Sequence, residues 1–345
     1  MSKLRVGVAG LGTVGGGLLK LFADPSSRVN EKMELVAVSA RNRQRARGVD
    51  ISGYKWFDDP VELAAQRDLD VVVELIGGSD GPAKRAVETA LQRGAHVVTA
   101  NKALVAVHGS SLAETSEGTG GKLLFEAAVG GGVPMIKMLK ESLAGSRASA
   151  VAGILNGTCN YILTEMETSG RSFADVLADA QRMGYAEADP TTDVGGFDAA
   201  HKLTILSAIA FGSRPDFDHV RIEGIERVSL ADIRLAGKLG YRIKLIAKGA
   251  LTENGVEMHV RPALLAFDHP LANVGGSLNA LVVDAEPAGR LTFIGRGAGE
   301  GPTAASVACR AHGSPSTRRE CSPCCASRSS APGSSTRATS CPRGR

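Results

Sequence analysis

Near its amino terminus the chain reads Val6-Gly7-Val8-Ala9-Gly10-Leu11-Gly12-Thr13-Val14-Gly15, an apolar run that leads into the pattern G-x-G-x-x-G. In this pattern Gly10 permits a tight turn, Gly12 lets a pyrophosphate approach the backbone, and Gly15 lets the next helix pack closely on the strand. The helix N-terminus presents unpaired N–H groups to the phosphates. The pattern therefore predicts a dinucleotide site. Its predicted contacts are Gly10, Leu11, Gly12, Thr13, Val14 and Gly15.

Around this motif, residues 4–126 alternate short apolar strands with helical patterns. We predict strands at 4–9, 35–39, 71–75, 96–99 and 122–125. We predict helices at 15–23, 60–66, 81–92 and 103–116. Because the strands are apolar on both faces and alternate with helices, the predicted fold class is α/β, with a Rossmann-type doubly wound parallel sheet.

The pattern changes after Gly130-Gly131-Gly132 and Pro134, which we interpret as a junction. The segment 148–294 has an α+β pattern. Its predicted helices are 160–168, 172–183 and 197–211, and its predicted strands are 242–248, 256–260, 278–283 and 291–294. We therefore divide the chain into a dinucleotide-binding domain at 1–130, a catalytic and dimerisation domain at 131–306, and a tail at 307–345.

The composition is that of a globular protein, since 43% of the 345 residues are hydrophobic and the formal net charge is only +4. No dense Lys/Arg block precedes the tail, which argues against a nucleic acid partner. No apolar run is long enough to cross a bilayer, and no signal-peptide pattern opens the chain. We expect a cytoplasmic protein that acts on a small molecule and binds no membrane.

The tail is abnormal, because the residues after Val307 change abruptly to Ser, Arg, Pro, Cys and Ala without periodicity. This composition predicts disorder. Cys321 and Cys324 have C-x-x-C spacing, but no zinc-finger partner accompanies them. The segment 309–315 can be encoded so that a one-nucleotide shift reads Ala-Glu-Leu-Met-Asp-Arg, a helical pattern. We therefore hypothesise a reading-frame shift near Ala308, which could leave an inactive product that binds a nucleotide at most.

The end of the second predicted strand bears on the choice of cofactor. An NAD-specific site usually places Asp or Glu there, to accept a hydrogen bond from the ribose 2′-hydroxyl. Here the strand ends at Ser39, and Arg41 and Arg43 follow, where they could face a 2′-phosphate. NADP is therefore favoured over NAD, and solvated loop arginines are the alternative.

Five further segments resemble the homoserine dehydrogenase family in order and register. They are VTANKAL at 98–104, FEAAVGGGVP at 125–134, GILNGTCNY at 153–161, GYAEADPTTDVGGFDAAHK at 184–202 and GRGAGEGPT at 295–303. The resemblance covers roughly residues 3–306. It implies NAD(P)-dependent interconversion of L-homoserine and L-aspartate 4-semialdehyde, a step of threonine and methionine biosynthesis, by a homodimer. The helix and the regulatory ACT domain that follow in many members are not recognisable here.

The resemblance also implies roles for two lysines and three acids. Lys202 corresponds to the proton donor, and Lys102 to the residue that touches both nicotinamide and substrate. Glu187 and Asp198 correspond to the partners of the substrate ammonium group, and Asp193 to a residue that orients a catalytic lysine. Further cofactor contacts implied by the resemblance are Ile76, Lys102, Gly184 and Gly301.

These residue types suit the implied reaction. Hydride arrival at an aldehyde carbon puts negative charge on the oxygen, and a lysine can stabilise that charge and donate a proton. Lys102 opens a helix at the carboxyl end of a parallel strand, the edge where doubly wound sheets bind ligands. Asp198 and Lys202 are four residues apart and share one helix face. An ordinary surface ion pair is the alternative for these two residues.

Two other segments carry predictions. Asn156 or Thr158 is expected to cap the helix that starts near Cys159, which we expect to be a buried thiol. By the resemblance, a structural sodium ion is bound by one carboxylate and several backbone carbonyls. The implied ligands are Glu126, Val129, Gly131 and Val133. A hinge without an ion is the alternative, and a reductase of another amino-acid semialdehyde is the alternative enzyme.

Overall fold

The computed structural model describes residues 3–186 and 188–312, and its first half is built on a parallel sheet. The strands are β1 (Leu4–Ala9), β2 (Met33–Ser39), β3 (Lys55–Phe57), β4 (Val71–Glu74), β5 (His96–Thr99) and β6 (Leu123–Leu124). Their order is β3-β2-β1-β4-β5-β6, with every neighbouring pair parallel. This is the doubly wound order of dinucleotide-binding folds, so the predicted fold class is confirmed. Strand β3 is the one strand of this sheet that was not predicted.

Helices cover both faces of this sheet because its central strands are apolar on both sides. They are α1 (Thr13–Ala23), α2 (Val29–Lys32), α3 (Pro60–Ala64), α4 (Pro82–Gln92) and α5 (Lys102–Thr119). Two apolar clusters, one on each face, enclose the central strands, and every residue of β4 and of β5 is buried. The first sheet is therefore a two-sided core whose loops stand at its strand ends.

A short helical junction follows β6. It consists of α6 (Glu126–Val129), α7 (Met135–Lys137) and a π-helical turn (Met138–Ser142). The junction leads into the second sheet, whose strands are β7 (Arg147–Ile154), β8 (Arg221–Ile222), β9 (Tyr241–Thr252), β10 (Gly255–Ala266), β11 (Leu278–Glu286) and β12 (Gly289–Arg296). The order is β12-β11-β7-β9-β10-β8, and all pairs except β10–β8 are antiparallel.

The helices of the second half are α8 (Gly157–Ser169), α9 (Phe173–Arg182), α10 (Thr191–Val194), α11 (Phe197–Phe211) and α12 (Leu230–Lys238). Helix α11 packs on β7, β9 and β10 and also contacts α5 of the first half. This contact brings the first turn of α5 close to α11. Strand β7 and helix α12 were not predicted. No helix in the described part of the chain is long and apolar enough to cross a membrane.

Helix α13 (Glu300–His312) returns to the first half and corrects the prediction for the tail. Its apolar face packs on α1, β4 and β5, and consists of Ala304, Val307, Ala308 and Ala311. A Cβ at Gly17 would lie 2.7 Å from Glu300 Cγ and 3.1 Å from Ala304 Cβ, so glycine allows the close contact of α1 with α13. The prediction of disorder from Val307 is therefore wrong for residues 307–312. Residues 313–345 lie outside the described residues.

Candidate active site

A cleft of about 750 Å³ opens at the carboxyl ends of β1, β2 and β4. Its floor is the glycine-rich turn, in which Gly10 has φ 101° and would place a Cβ 2.5 Å from the carbonyl carbon of Leu75. The cleft is lined by Gly10, Leu11, Gly12, Ser39, Ala40, Arg41, Asn42, Arg45, Arg47, Asp58, Pro60, Leu75, Ile76, Gly77 and Pro82. Five of the predicted cofactor contacts outside the first turn of α1 thus line one cleft: Gly10, Leu11, Gly12, Arg41 and Ile76.

One end of this cleft is basic. Arg41, Arg45 and Arg47 line it just beyond Ser39, the last residue of β2. Arg47 donates hydrogen bonds to the carbonyl oxygens of its own loop and therefore shapes that loop. The guanidinium of Arg43 stands 5.7 Å from the centre of the Trp56 ring. Arg41 and Arg45 line the cleft together with Arg47, whereas the predicted contact Arg43 packs on the Trp56 ring.

The first catalytic candidate is placed by a helix cap. The side chain of Asn101 accepts a hydrogen bond from Leu104 N at 3.1 Å and donates one to Gly78 O at 2.7 Å. Helix α5 therefore begins at Lys102, directly after β5, as predicted. The Nζ atom of Lys102 lies 2.7 Å from Asp198 Oδ1 on α11.

The second candidate, Lys202, is held by two oxygen atoms. Its Nζ donates to Asp198 Oδ2 at 2.9 Å and to Leu155 O at 2.8 Å. Leu155 O also accepts from Asn279 Nδ2 at 3.0 Å, so the carbonyl that holds Lys202 is itself fixed from β11. Lys202 is 8% exposed. The alternative of a surface ion pair is therefore wrong.

Asp198 lies between the two lysines and is itself buried. Burial alone raises the pKa of a carboxyl group, but Lys202 and Lys102 outweigh it and hold the pKa of Asp198 well below its usual range. The carboxylate is therefore ionised at neutral pH. It fixes two ammonium groups from different halves of the chain at one point.

Asn156 connects a second carboxylate to this group. Its Nδ2 donates to Asp193 Oδ1 at 2.8 Å and to Asp198 Oδ2 at 2.9 Å, while its Oδ1 accepts from Cys159 N at 2.7 Å and caps α8. Burial raises the pKa of Asp193, and the nearby Asp198 charge adds to this effect. Burial also raises the pKa of Cys159 well above its usual value, so this residue is a buried thiol, as predicted.

The arrangement suits chemistry on a carbonyl group. Two ammonium groups stand together at the edge of the parallel sheet where a dinucleotide cleft opens, and one ionised carboxylate holds both. Lysine can neutralise charge that develops on an oxygen and can also give up a proton. A reductase or dehydrogenase needs both functions beside its cofactor.

Comparison with known proteins identifies the family. A family model for homoserine dehydrogenase matches residues 134–309, and one for the NAD binding domain of homoserine dehydrogenase matches residues 10–126. The homoserine dehydrogenase of Neisseria gonorrhoeae is 45% identical over 311 residues, which make up 89% of this chain and 71% of that protein. The chain belongs to the homoserine dehydrogenase family. It is accordingly an oxidoreductase with an NAD-binding, Rossmann-type domain.

Solved structures agree with this membership. The crystal structure of a homoserine dehydrogenase from Thiobacillus denitrificans matches with a TM-score of 0.86 at 44% identity, covering 90% of this chain and 73% of that chain. A hyperthermophilic archaeal homoserine dehydrogenase in complex with NADPH matches with a TM-score of 0.75 at 25% identity, covering 88% of this chain and 95% of that chain. The two-sheet architecture is therefore that of other homoserine dehydrogenases.

The family motifs come together only in part. Lys102, Lys202 and Asp198 meet directly, and Asp193 joins them through Asn156. Glu187 lies outside the described residues. Gly184 follows α9 with φ 76°, and Gly301 lies in the first turn of α13.

Three contributions to the site were not foreseen from the sequence: the Leu155 carbonyl, the Asn279 amide, and the bridge that Asn156 makes between two carboxylates. Asn156 was predicted only as one of two possible helix caps. Asn279 stands in an ordinary strand pattern, so no local signal marks it. Its Oδ1 atom is buried and has no hydrogen-bond partner among the described residues.

Glu126, the carboxylate among the predicted sodium ligands, has N–H groups of the chain as its partners. The Glu126 carboxylate accepts hydrogen bonds from Ile136 N at 2.7 Å and from Lys137 N at 2.9 Å. It also accepts from Arg310 Nε at 3.0 Å and from Arg310 Nη2. Among the described residues, no group of three or more His, Cys, Asp or Glu side chains is arranged to hold a metal ion.

Proposed function

We propose that this chain interconverts L-homoserine and L-aspartate 4-semialdehyde, with Lys202 as the proton donor and Lys102 beside the nicotinamide and the substrate. The observation that carries the proposal is the buried Asp198 carboxylate, which holds both lysine Nζ atoms within 2.9 Å. The proposal is supported by membership of the family and by the position of Lys102 just after β5, at the carboxyl edge of the parallel sheet. The implied pathways are those to threonine and methionine.

The roles follow from the hydrogen-bonding capacity of each side chain. An ammonium group has three N–H donors, and two of those of Lys202 point to Asp198 and Leu155. The third is then directed at the substrate oxygen, to which it donates a proton during reduction. The bound cofactor supplies or accepts the hydride. In the oxidation direction, the neutral amine of Lys202 takes the proton from the substrate hydroxyl.

The substrate carries an ammonium group that needs negative charge. We assign Asp198 and Asp193 as partners of this ammonium group, and Asn156 fixes the distance between their carboxylates. Glu187 is proposed as a further partner on the strength of the family motif. Because the side chain of Asp198 already neutralises two lysines, Asp193 and Glu187 are expected to carry most of the charge seen by the substrate.

The test of this proposal is a steady-state assay of L-homoserine oxidation by the wild type and Lys202→Ala. We expect kcat to fall roughly 10²–10⁴-fold, the usual contribution of a positioned acid or base. NADPH binding, measured by fluorescence quenching, is expected to stay unchanged. Lys238→Ala removes an exposed lysine of α12 and serves as the matched control. Wild-type turnover by Lys202→Ala would contradict the assignment.

NADP is the proposed preferred cofactor. Strand β2 ends at Ser39 without an acidic residue, and Arg41 and Arg45 line the cleft next to it. A guanidinium binds a 2′-phosphate through charge-assisted hydrogen bonds. The NADPH bound by the archaeal relative agrees with this preference.

Replacement of Arg41 and Arg45 by alanine tests the cofactor preference. Loss of a charged hydrogen bond costs about 1.5–3 kcal/mol, so the KM for NADPH is expected to rise at least tenfold. The KM for NADH should change little. Arg67→Ala, at an exposed site outside the cleft, is the control. Equal changes in both KM values would exclude contact with a 2′-phosphate.

We also propose that the chain is a homodimer in the cytoplasm and that it pairs through the second sheet. Leu251, Leu264 and Ile294 are large apolar side chains exposed on β9, β10 and β12. Light scattering of the purified protein measures the mass directly. A monomer that keeps full activity would overturn this part of the proposal.

A bound sodium ion is not part of the proposal, because the residues present do not fit one. A hard cation prefers oxygen ligands, whereas both carboxylate oxygens of Glu126 already accept hydrogen bonds from N–H donors. Two of these donors belong to the guanidinium of Arg310, whose charge would repel a second cation. In this structure the Glu126 carboxylate, predicted as a sodium ligand, is instead bound by N–H donors of the chain itself.

A further inference from the structure

Glu126 is a buried acid outside the catalytic cluster, and its negative charge is paired with Arg310. Its side chain is 4% exposed and stands in the first turn of α6, directly after the parallel sheet. Four N–H donors reach it: two backbone amides of the segment that leads through α7, and two nitrogen atoms of Arg310. Burial of a carboxylate is costly unless it is both hydrogen-bonded and paired with a positive charge, and here it is both.

Arg310 lies on α13, so its contacts join parts of the chain that are distant in sequence. Besides Glu126, its guanidinium contacts Glu141 in the π-helical turn, with Nη1 3.1 Å from Oε1. A single side chain thus joins α13, α6 and the π-helical turn. Because α13 also packs on α1, the same contacts connect the dinucleotide domain to the junction between the two sheets.

We infer that Arg310 supplies the positive charge at this junction in place of a bound monovalent cation, and that it fastens α13 to the junction. The planar fork of arginine can meet two acceptors in one plane and cannot lose its proton in a protein. The charge is therefore permanent and independent of the salt present. The fold of this chain has no requirement for sodium or potassium at this position.

Wild-type protein gives the first test, with no substitution needed. Melting temperature is measured in sodium chloride, potassium chloride and choline chloride at equal ionic strength. We expect the same melting temperature in all three salts, because Arg310 already supplies the positive charge. Choline, which is too large for a cation site in a peptide loop, is the control cation. A rise that is specific for sodium or potassium and saturates in the millimolar range would overturn the inference.

A pair of variants tests the fastening role. Arg310→Met leaves the buried Glu126 carboxylate without its cation, and we expect the melting temperature to fall on the order of 5–10 °C. Arg290→Met breaks an exposed pair with Asp284 and is the matched control, with an expected change below about 2 °C. Adding Glu126→Gln to Arg310→Met should recover part of the loss, since the unpaired charge is removed.

The outcomes separate cleanly. The fastening role is excluded if Arg310→Met has the same melting temperature as Arg290→Met. It is also excluded if adding Glu126→Gln to Arg310→Met lowers the melting temperature further. If Arg310→Met yields no folded protein, the salt series on the wild type still decides whether a bound cation is needed. Turnover of L-homoserine does not enter either readout, so a failure of the proposed function leaves both tests intact.

Discussion

Two buried carboxylates of this protein, Asp198 and Glu126, are each held by basic side chains, but the chemistry allowed at the two places differs. Asp198 is shared by Lys102 and Lys202, whose ammonium groups can release and regain a proton. Glu126 is held by Arg310, whose guanidinium cannot. A buried carboxylate that is paired with lysine can therefore support proton transfer, whereas one that is paired with arginine forms a permanent ion pair.

Access differs as well. The side chain of Lys102 is 38% exposed and that of Arg310 is 15% exposed, whereas Lys202 and both carboxylates are buried. A substrate can therefore approach the first group from the side of Lys102. The second pair has the oxygen atoms of its carboxylate occupied by N–H donors of two chain segments, α7 and α13. The comparison predicts that changes at the first pair act on turnover and changes at the second act on stability.

Among substitutions that leave both lysines in place, the largest effect is expected for Asp198→Asn. Removal of the buried negative charge leaves two ammonium groups facing each other and favours loss of a proton from one of them. We expect kcat for aldehyde reduction to fall at least tenfold at neutral pH, with the alkaline limb of its pH profile moved to lower pH. Steady-state assays between pH 6 and pH 10 measure this (roughly the range over which lysine side chains titrate when perturbed).

The matched control is Asp284→Asn, which breaks an exposed ion pair with Arg290. Its pH profile should equal that of the wild type. If Asp198→Asn loses turnover by the same factor at every pH, Asp198 does not control the protonation of the lysines. Asp198 would then act, like Glu126, through the fold alone.

A smaller effect is expected in acid. The pKa of Asp198 in the folded protein is held below its value in the unfolded chain, which is about 3.9. Its contribution to stability is therefore complete above that value and is lost as the pH falls towards the folded-state pKa. The difference in free energy of unfolding between wild type and Asp198→Asn should shrink between about pH 5 and pH 3. Urea denaturation at each pH measures it, and a constant difference would contradict the lowered pKa.

The smallest effect is expected at Asn156, the residue between the two acids. Asn156→Ala loses the cap of α8, which costs about 0.5–2 kcal/mol of unfolding free energy, and it also loses the bridge between Asp193 and Asp198. Ser172→Ala removes the cap of α9 and is the control. We expect similar losses of stability from both, but a loss of kcat only from Asn156→Ala. Equal kcat values would mean that Asn156 is a cap and nothing more.

Much of the first sheet could be predicted because its signals are local. The strands 4–9 and 96–99 were predicted with the bounds that the structure has, since short valine-rich runs next to a glycine turn have few other interpretations. Strand β3 was missed because its three residues are too short for a periodic pattern. Strand β7 was missed because it is rich in alanine and serine, which are not typical of strands.

The contact between Asp198 and Lys202 was predictable from spacing and family motifs, whereas the contact between Glu126 and Arg310 was not. Asp198 and Lys202 are one helical turn apart, so their contact follows from local geometry. Glu126 and Arg310 are 184 residues apart, and their contact depends on how α13 packs on the first sheet. The composition after Val307 predicted disorder, yet Ala304, Val307, Ala308 and Ala311 form one helix face that is buried. Small apolar residues carry a weak periodic signal, which the surrounding Cys and Arg obscured.

The most direct test exchanges the type of cation at each carboxylate, with Lys202→Arg at one and Arg310→Lys at the other, and measures kcat for L-homoserine together with the melting temperature. Lys202→Arg keeps the charge beside Asp198 but cannot donate a proton, so we predict a loss of kcat of roughly 10²-fold or more with the fold retained. Arg310→Lys should lower the melting temperature and keep most of kcat. Wild-type turnover by Lys202→Arg, or a loss of turnover confined to Arg310→Lys, would contradict the division between a catalytic and a structural cation.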